Sequence, residues 1–340
     1  MTMKFLDGEA RAHGGSAVRD RRLRKGLRLH RGKRITVGFF NNMGDGAYAP
    51  TEKQFLNLLR EVGDEFEVSV RRYRLETLPR GAEAAAAIAA SSRPSAALRR
   101  DKPDALVVTG AEPRAARLDG EPFWRELAEV VDFARDSTHA SYFSCLAAHA
   151  AVLRLDGVER RALKRKLTGV FTLAAAVNHP LIDGFDWNVL IPHSRWNTLD
   201  ADELTAKGYE ILTRSAATGP DLFIKQGRSL LTFSQGHPEY DADTLGKEFR
   251  RDMRLYADGR RASPPLPPQR YFMPQTEVDM MAAAFSIKPG ANADLGPAPR
   301  SRFSDPPPWR RVGALLARNW LGLIAARKNP DIRAPARFGG

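Results

Sequence analysis

Ala140-Ser141-Tyr142-Phe143-Ser144-Cys145-Leu146-Ala147-Ala148-His149-Ala150-Ala151-Val152-Leu153 reads as a strand, 140–144, running directly into a helix from Leu146. Cys145 sits at the junction and is the only cysteine of the 340 residues. A thiol at a helix N-terminus meets unpaired N–H groups and the positive end of the dipole, which favour the thiolate. Downstream, the apolar run Ser229-Leu230-Leu231-Thr232-Phe233 ends in Gln235-Gly236-His237-Pro238-Glu239-Tyr240-Asp241. A thiol, a histidine and a carboxylate placed after strands make up the inventory for acyl transfer through a thioester. On residue type alone, the alternative is a small buried cysteine in the core.

Outward from this stretch, the same alternation repeats. Ile35 to Phe40 is a continuous apolar run suited to a strand buried on both faces. Residues 41–50 read as a Gly-rich loop, and Phe55, Leu58, Leu59 and Val62 mark a helix with Thr51 as N-cap. Phe66 to Tyr73 and Leu106 to Gly110, the latter ending in a glycine turn, are further strands, with Leu127, Val130, Val131 and Ala134 on a helix between the last of these and Cys145. Strands alternating with helices imply right-handed crossovers and an α/β fold whose mostly parallel sheet is covered by helices on both faces. Gly110, Cys145 and His237 each follow a predicted strand, so all three converge on the carboxyl rim of the sheet.

The segmentation has four parts. Residues 1–33 form a basic, disordered extension, 34–259 the catalytic domain, 260–308 a Pro-rich arm, and 309–328 a C-terminal helix packed on the domain through Val312, Leu315, Leu316, Trp320 and Leu323. The formal charge of +13 comes mainly from the first 34 residues, which carry 11 Lys/Arg against 3 acids. From Arg19 to Arg34 no aromatics interleave the charges, so nothing in that run could stack on bases, and nucleic acid is not an expected partner. No run approaches about 18 apolar residues. The start of the chain has no stretch suited to a secretory signal, and a single cysteine excludes a disulfide framework and a multi-Cys zinc site. Cytoplasm is the expected compartment, with no metal and no resident cofactor.

The spaced blocks carry a further resemblance. Thr109-Gly110-Ala111, Phe123-Trp124, Phe143-Ser144-Cys145, 166–171 (Lys166 to Phe171) and Pro192-His193-Ser194-Arg195-Trp196 come in order. Gly236 to Leu245, Arg250-Arg251-Asp252 and Trp309 to Leu321 follow. The series, spanning roughly residues 34–328, resembles the homoserine O-succinyltransferase/O-acetyltransferase family of methionine biosynthesis, which has a class I glutamine amidotransferase-like fold.

The resemblance implies a ping-pong reaction with acyl-CoA as co-substrate and L-homoserine as acceptor, and a homodimer is the expected assembly. Cys145 would carry the acyl group, His237 would act as base, Glu239 would orient it, and Leu146 N–H would face the oxyanion. Lys166, Ser194 and Arg251 fall on the family's acceptor-binding positions. His193 is expected to be structural, and His149, one turn after Cys145, is more often a core histidine than a site residue.

This chain departs from the family at two places. Leu146 and His149 stand where Trp and Gln are usual. In the loop Ala111-Glu112-Pro113-Arg114, the position that discriminates donors holds Arg114, whose guanidinium would pair with a succinyl carboxylate, so succinyl is expected over acetyl. Two alternatives stay open at this point: a Cys-His-Glu amidotransferase or amidase of the same fold, and a serine-type acceptor.

Overall fold

The structure, a computed structural model, describes residues 34–62, 65–287, 295, 298 and 300–329, together with the backbone of two strands at 4–6 and 9–12. The chain order begins β1 (Lys4–Leu6), β2 (Glu9–Ala12), β3 (Arg34–Phe40), α1 (Asp45–Glu61), β4 (Glu67–Arg74), α2 (Ala82–Ser91), β5 (Arg93–Pro94), α3 (Leu98–Asp101) and β6 (Ala105–Val108). It continues α4 (Trp124–Ser137), β7 (Ala140–Ser144), α5 (Leu146–Asp156), β8 (Arg161–Ala175), β9 (Asn188–Thr198), α6 (Ala201–Ala206) and β10 (Glu210–Ile211). The remainder is β11 (Thr213–Ser215), β12 (Gly219–Pro220), β13 (Leu222–Lys225), β14 (Leu230–Ser234), α7 (Thr244–Ala257), α8 (Pro274–Ser286) and α9 (Pro308–Lys328).

The main sheet runs β1-β2-β4-β3-β6-β7-β14-β13-β10. Its centre, β4 through β14, is parallel, and antiparallel pairs close both sides. The central strands are buried on both faces, as their unbroken apolar runs require. One face packs under α4 and α5, with Phe143, Val130 and Ala151 in its core, and the other under α1 and α9, with Val37, Phe55, Trp320 and Ile324. The order reverses at β3, so the crevice at the carboxyl ends of the strands is the place for a ligand. A second, antiparallel sheet, β12-β11-β8-β9, stands beside that rim. Its long β8–β9 ribbon, with α7 and α8, encloses a third core around Leu173, Phe249, Tyr271 and Trp309.

Three features differ from the sequence expectation. Helix α1 starts at Asp45 rather than after Thr51 and carries Pro50 inside it. Gly46 and Pro50 are poor helix formers, but tertiary contacts hold the first turns: Asp45 accepts from Gly81 N at 2.9 Å and from Arg80, whose guanidinium lies 5.2 Å from the Tyr48 ring centre. The region 260–308 is not a bare arm. Gln269 is stitched to β8 through Gln269 N to Thr168 O and Val170 N to Gln269 O, both 2.9 Å, and α8 follows with Pro274 in its first turn. The extension holds β1 and β2, which pair onto the edge of β4 and satisfy its free backbone groups. Most of the basic run, residues 13–33, lies outside the described residues.

Among the described residues, no helix is long and apolar enough to cross a membrane. No group of three or more His, Cys, Asp or Glu among them could hold a metal ion.

Candidate active site

Cys145 is the N-cap of α5 and has φ 51° and ψ −112°, a left-handed backbone that few non-glycine residues adopt. Its N–H donates to Ser234 O at 2.7 Å, so β14 pins the turn from the neighbouring strand. Strain of this kind at a strand-to-helix turn lifts the nucleophile out of the helix and onto the rim. The next residue, Leu146, starts the helix, and its N–H has no partner within it. Gly110, two residues past β6, lies against this N–H: a Cβ on Gly110 would be 3.0 Å from Leu146 N and 2.6 Å from Leu146 Cβ. Only a glycine leaves that amide uncovered.

His237 follows β14. Its N–H donates to Pro192 O at 2.8 Å, which ties it to β9, and its ring stacks on Tyr240 with centroids 4.3 Å apart. Its Nδ1 is 2.8 Å from Glu239 Oε1, and the Cys145 sulfur lies near enough to act on the charge of the ring. Burial pushes the imidazole pKa down. The Glu239 charge and the Cys145 sulfur outweigh burial and hold it well above the ordinary histidine range. The imidazole is thus held protonated between the Cys145 sulfur and a buried carboxylate. Gly236 makes the turn possible, since a Cβ there would meet Ile191 at 2.5 Å and the Asp221 carboxylate at 2.7 Å.

The second half of the site is built on α7. Glu248 and Asp252, one helical turn apart, face the ribbon. Ser194 Oγ and Tyr240 OH donate to the two oxygens of Glu248, the latter at 2.7 Å, and Lys166 Nζ is 3.7 Å from it. Asp252 accepts from Lys166 at 2.8 Å and Arg251 at 2.9 Å. Burial raises the pKa of both carboxyls, but Lys166 and the surrounding donors bring each below its usual value, so both are ionised. The structure thus brings Lys166, Ser194 and Arg251 together around two carboxylates that sequence reading did not single out. The signal available was their i, i+4 spacing beside Arg251.

Arg114 is solvent-exposed, and its side chain makes no bond to the other residues of the site. Only its loop is fixed: Arg114 N and Ala115 N both donate to Glu121 at 2.6 Å. His149 is a core histidine, with Nε2 2.9 Å from Gln235 Oε1 and a pKa pushed down by burial to about 3, hence neutral. His193 is fully buried, with Nδ1 accepting from Arg195 at 3.4 Å and Nε2 3.5 Å from Asp221. Both agree with structural roles.

The family model described as homoserine O-succinyltransferase matches residues 28–330. The chain belongs to the homoserine O-succinyltransferase family. It is 44% identical to the homoserine O-succinyltransferase of Methylorubrum extorquens, over 87% of this chain and 88% of that one. It is 40% identical to that of Rhodopseudomonas palustris (86% and 89%) and 37% identical to that of Bradyrhizobium japonicum (96% and 99%). Solved structures similar to it include glutamine amidotransferases from Methylobacillus flagellatus and Thermotoga maritima. The first is 16% identical with a TM-score of 0.46 over 91% of this chain and 97% of that one, the second 12% and 0.45 over 86% and 97%.

Proposed function

We propose that the protein transfers a succinyl group from succinyl-CoA to the hydroxyl of L-homoserine by a ping-pong route through a Cys145 thioester, in the cytoplasmic synthesis of methionine. The observation that carries the reading is the juxtaposition of the Cys145–His237–Glu239 line with the charged Lys166–Ser194–Glu248–Arg251 cluster, in a member of a family named for this reaction.

The thiolate attacks the thioester carbonyl, and the Leu146 N–H stabilises the oxyanion. His237 gives its proton to the departing CoA thiolate, which leaves a neutral imidazole and an acyl-enzyme. The homoserine hydroxyl then gives its proton to His237 as its oxygen attacks the acyl carbon, and Cys145 departs as thiolate. Glu239 keeps Nδ1–H engaged so that Nε2 faces the reacting atoms. Homoserine carries an ammonium and a carboxylate, and the cluster offers one group for each: Glu248 for the ammonium and Arg251 for the carboxylate. No other cofactor enters the sequence of steps.

The test pairs mass spectrometry with kinetics. Incubation with succinyl-CoA alone should add one succinyl group to the peptide containing Cys145. Steady-state turnover should give parallel double-reciprocal lines, with homoserine preferred over serine and succinyl-CoA over acetyl-CoA. Intersecting lines and an unmodified Cys145 would overturn the route. A preference for acetyl-CoA would overturn the donor.

A further inference from the structure

A cavity of about 140 Å³ lies between the β8–β9 ribbon and segment 263–266. It shares Lys166 and Asp252 with the acceptor cluster, but neither Ser194, Glu248 and Arg251 nor Cys145 and His237 line it. It therefore adjoins the site without being the place of the chemistry.

Its floor is shaped by an irregularity in β8. Ala162 pairs with Asn197 and Leu167 with Arg195, so the residues between them bulge out of the ladder. The bulge presents Lys164, Arg165 and Lys166 in succession to the cavity. Lys166 and, across the cavity at 3.3 Å, Arg261 both pair with Asp252. Lys164 and Arg165 are exposed, and no carboxylate among the described residues pairs with either. The Arg261 guanidinium lies 5.0 Å from the centre of the Trp196 ring, which is 46% exposed and sits opposite the bulge near the end of β9. Two unpaired cations, an exposed indole carrying a guanidinium, and prolines as an apolar wall form a receptor for a phosphorylated planar base.

From this arrangement, and resting on the reading of the donor as a CoA thioester, we infer that the cavity takes the 3′-phosphorylated adenine nucleotide end of CoA. Trp196 and Arg261 pack against the base, and Lys164 and Arg165 bind the phosphates. The pantetheine arm then runs past Lys166 toward Cys145. Donor recognition on this view lies in the ribbon, not in the exposed Arg114.

The test uses succinyl-CoA, S-succinyl-N-acetylcysteamine, which has the same reacting carbonyl and no nucleotide, and CoA itself. The double substitution Lys164→Ala/Arg165→Ala should weaken CoA binding in calorimetry about tenfold, or ~1.4 kcal/mol. It should raise KM for succinyl-CoA by a similar factor with kcat unchanged, and leave kcat/KM for the truncated donor unchanged. Trp196→Ala should act the same way. Adenosine 3′,5′-bisphosphate should compete with succinyl-CoA. Equal losses for both donors, wild-type CoA affinity in the double variant, or a nucleotide that binds without competing would each overturn the inference. If wild type used neither donor yet bound CoA through Lys164 and Arg165, the transferase reading would fail and the inference would stand.

Discussion

At the residue scale, the nucleophile carries a measurable penalty. A side chain held in a sparsely populated backbone region costs of order 1–3 kcal/mol, and glycine does not bear that strain. Cys145→Gly and Cys145→Ala should both abolish transfer, but in thermal denaturation only the glycine variant should melt above wild type. A glycine variant that melts below the alanine one would mean the turn at φ 51° is not strained. Asp221 gives a second prediction. It is fully buried and accepts from Gly236 N at 2.7 Å and Thr213 Oγ1 at 3.1 Å. Burial outweighs these bonds and raises its pKa to about 6 from 3.8. In this range the folded state holds more protons than the unfolded one. Stability from this group is therefore full below about pH 4 and falls as pH rises through about 6, by roughly 3 kcal/mol. Asp221→Asn should flatten the slope of unfolding free energy between pH 4 and 6 in urea titrations, and an unchanged slope would locate the pH dependence elsewhere. Glu248→Gln tests the acceptor cluster. Loss of a charge-assisted partner, ~1.5–3 kcal/mol, should raise KM for homoserine about 10- to 100-fold with little change for succinyl-CoA.

At the element scale, the site depends on the last helix. Trp309, on α9, is fully buried and donates its indole N–H to Tyr240 O at 2.7 Å, so α9 holds the loop that carries His237 and Glu239. Trp309→Ala should cost about 3–5 kcal/mol of stability. It should also lower kcat/KM at temperatures where the variant is still folded, whereas Ile324→Ala, buried farther along α9, should reduce stability alone. Equal activities in the two folded variants would remove the link between α9 and the loop. The elements that hold the catalytic line were legible in the sequence because each shows one clear period: unbroken apolar runs for β3, β6, β7 and β14, and i, i+3, i+4 spacing for α4 and α9. What was not legible depends on contacts between distant segments. The start of α1 is held by Arg80 and Gly81, and the stitching of Gln269 to β8 has no local signature. Glu248 and Asp252 look like surface charges until Lys166 and Ser194 arrive from a ribbon some 50 to 90 residues earlier in the chain.

At the scale of the whole molecule, the nucleophile, base and acceptor cluster come from separate parts of the chain and meet only at the carboxyl rim of the sheet. Most of the excess positive charge is carried by residues 1–34, apart in sequence from the residues of that assembly. Deleting residues 1–32 should therefore change kcat/KM by no more than about threefold, under ~1 kcal/mol. The same deletion uncovers the edge of β4, so light scattering should show more self-association than in the full chain. A collapse of activity would show that the extension reaches the site.

The bond from Trp309 to Tyr240 also has a consequence for biosynthesis. Proteins are made from the N-terminus, and segments fold as they leave the ribosome. The strands bearing Cys145 and His237 emerge long before α9 does. Until then the loop lacks its anchor, and the face containing Val37 and Phe55 lacks Trp320 and Ile324. A nascent chain stalled near residue 300 should be cleaved readily by protease and should not acylate its cysteine. Release of a chain that includes α9 should confer both protections together, so the enzyme would be switched on by the completion of its own synthesis.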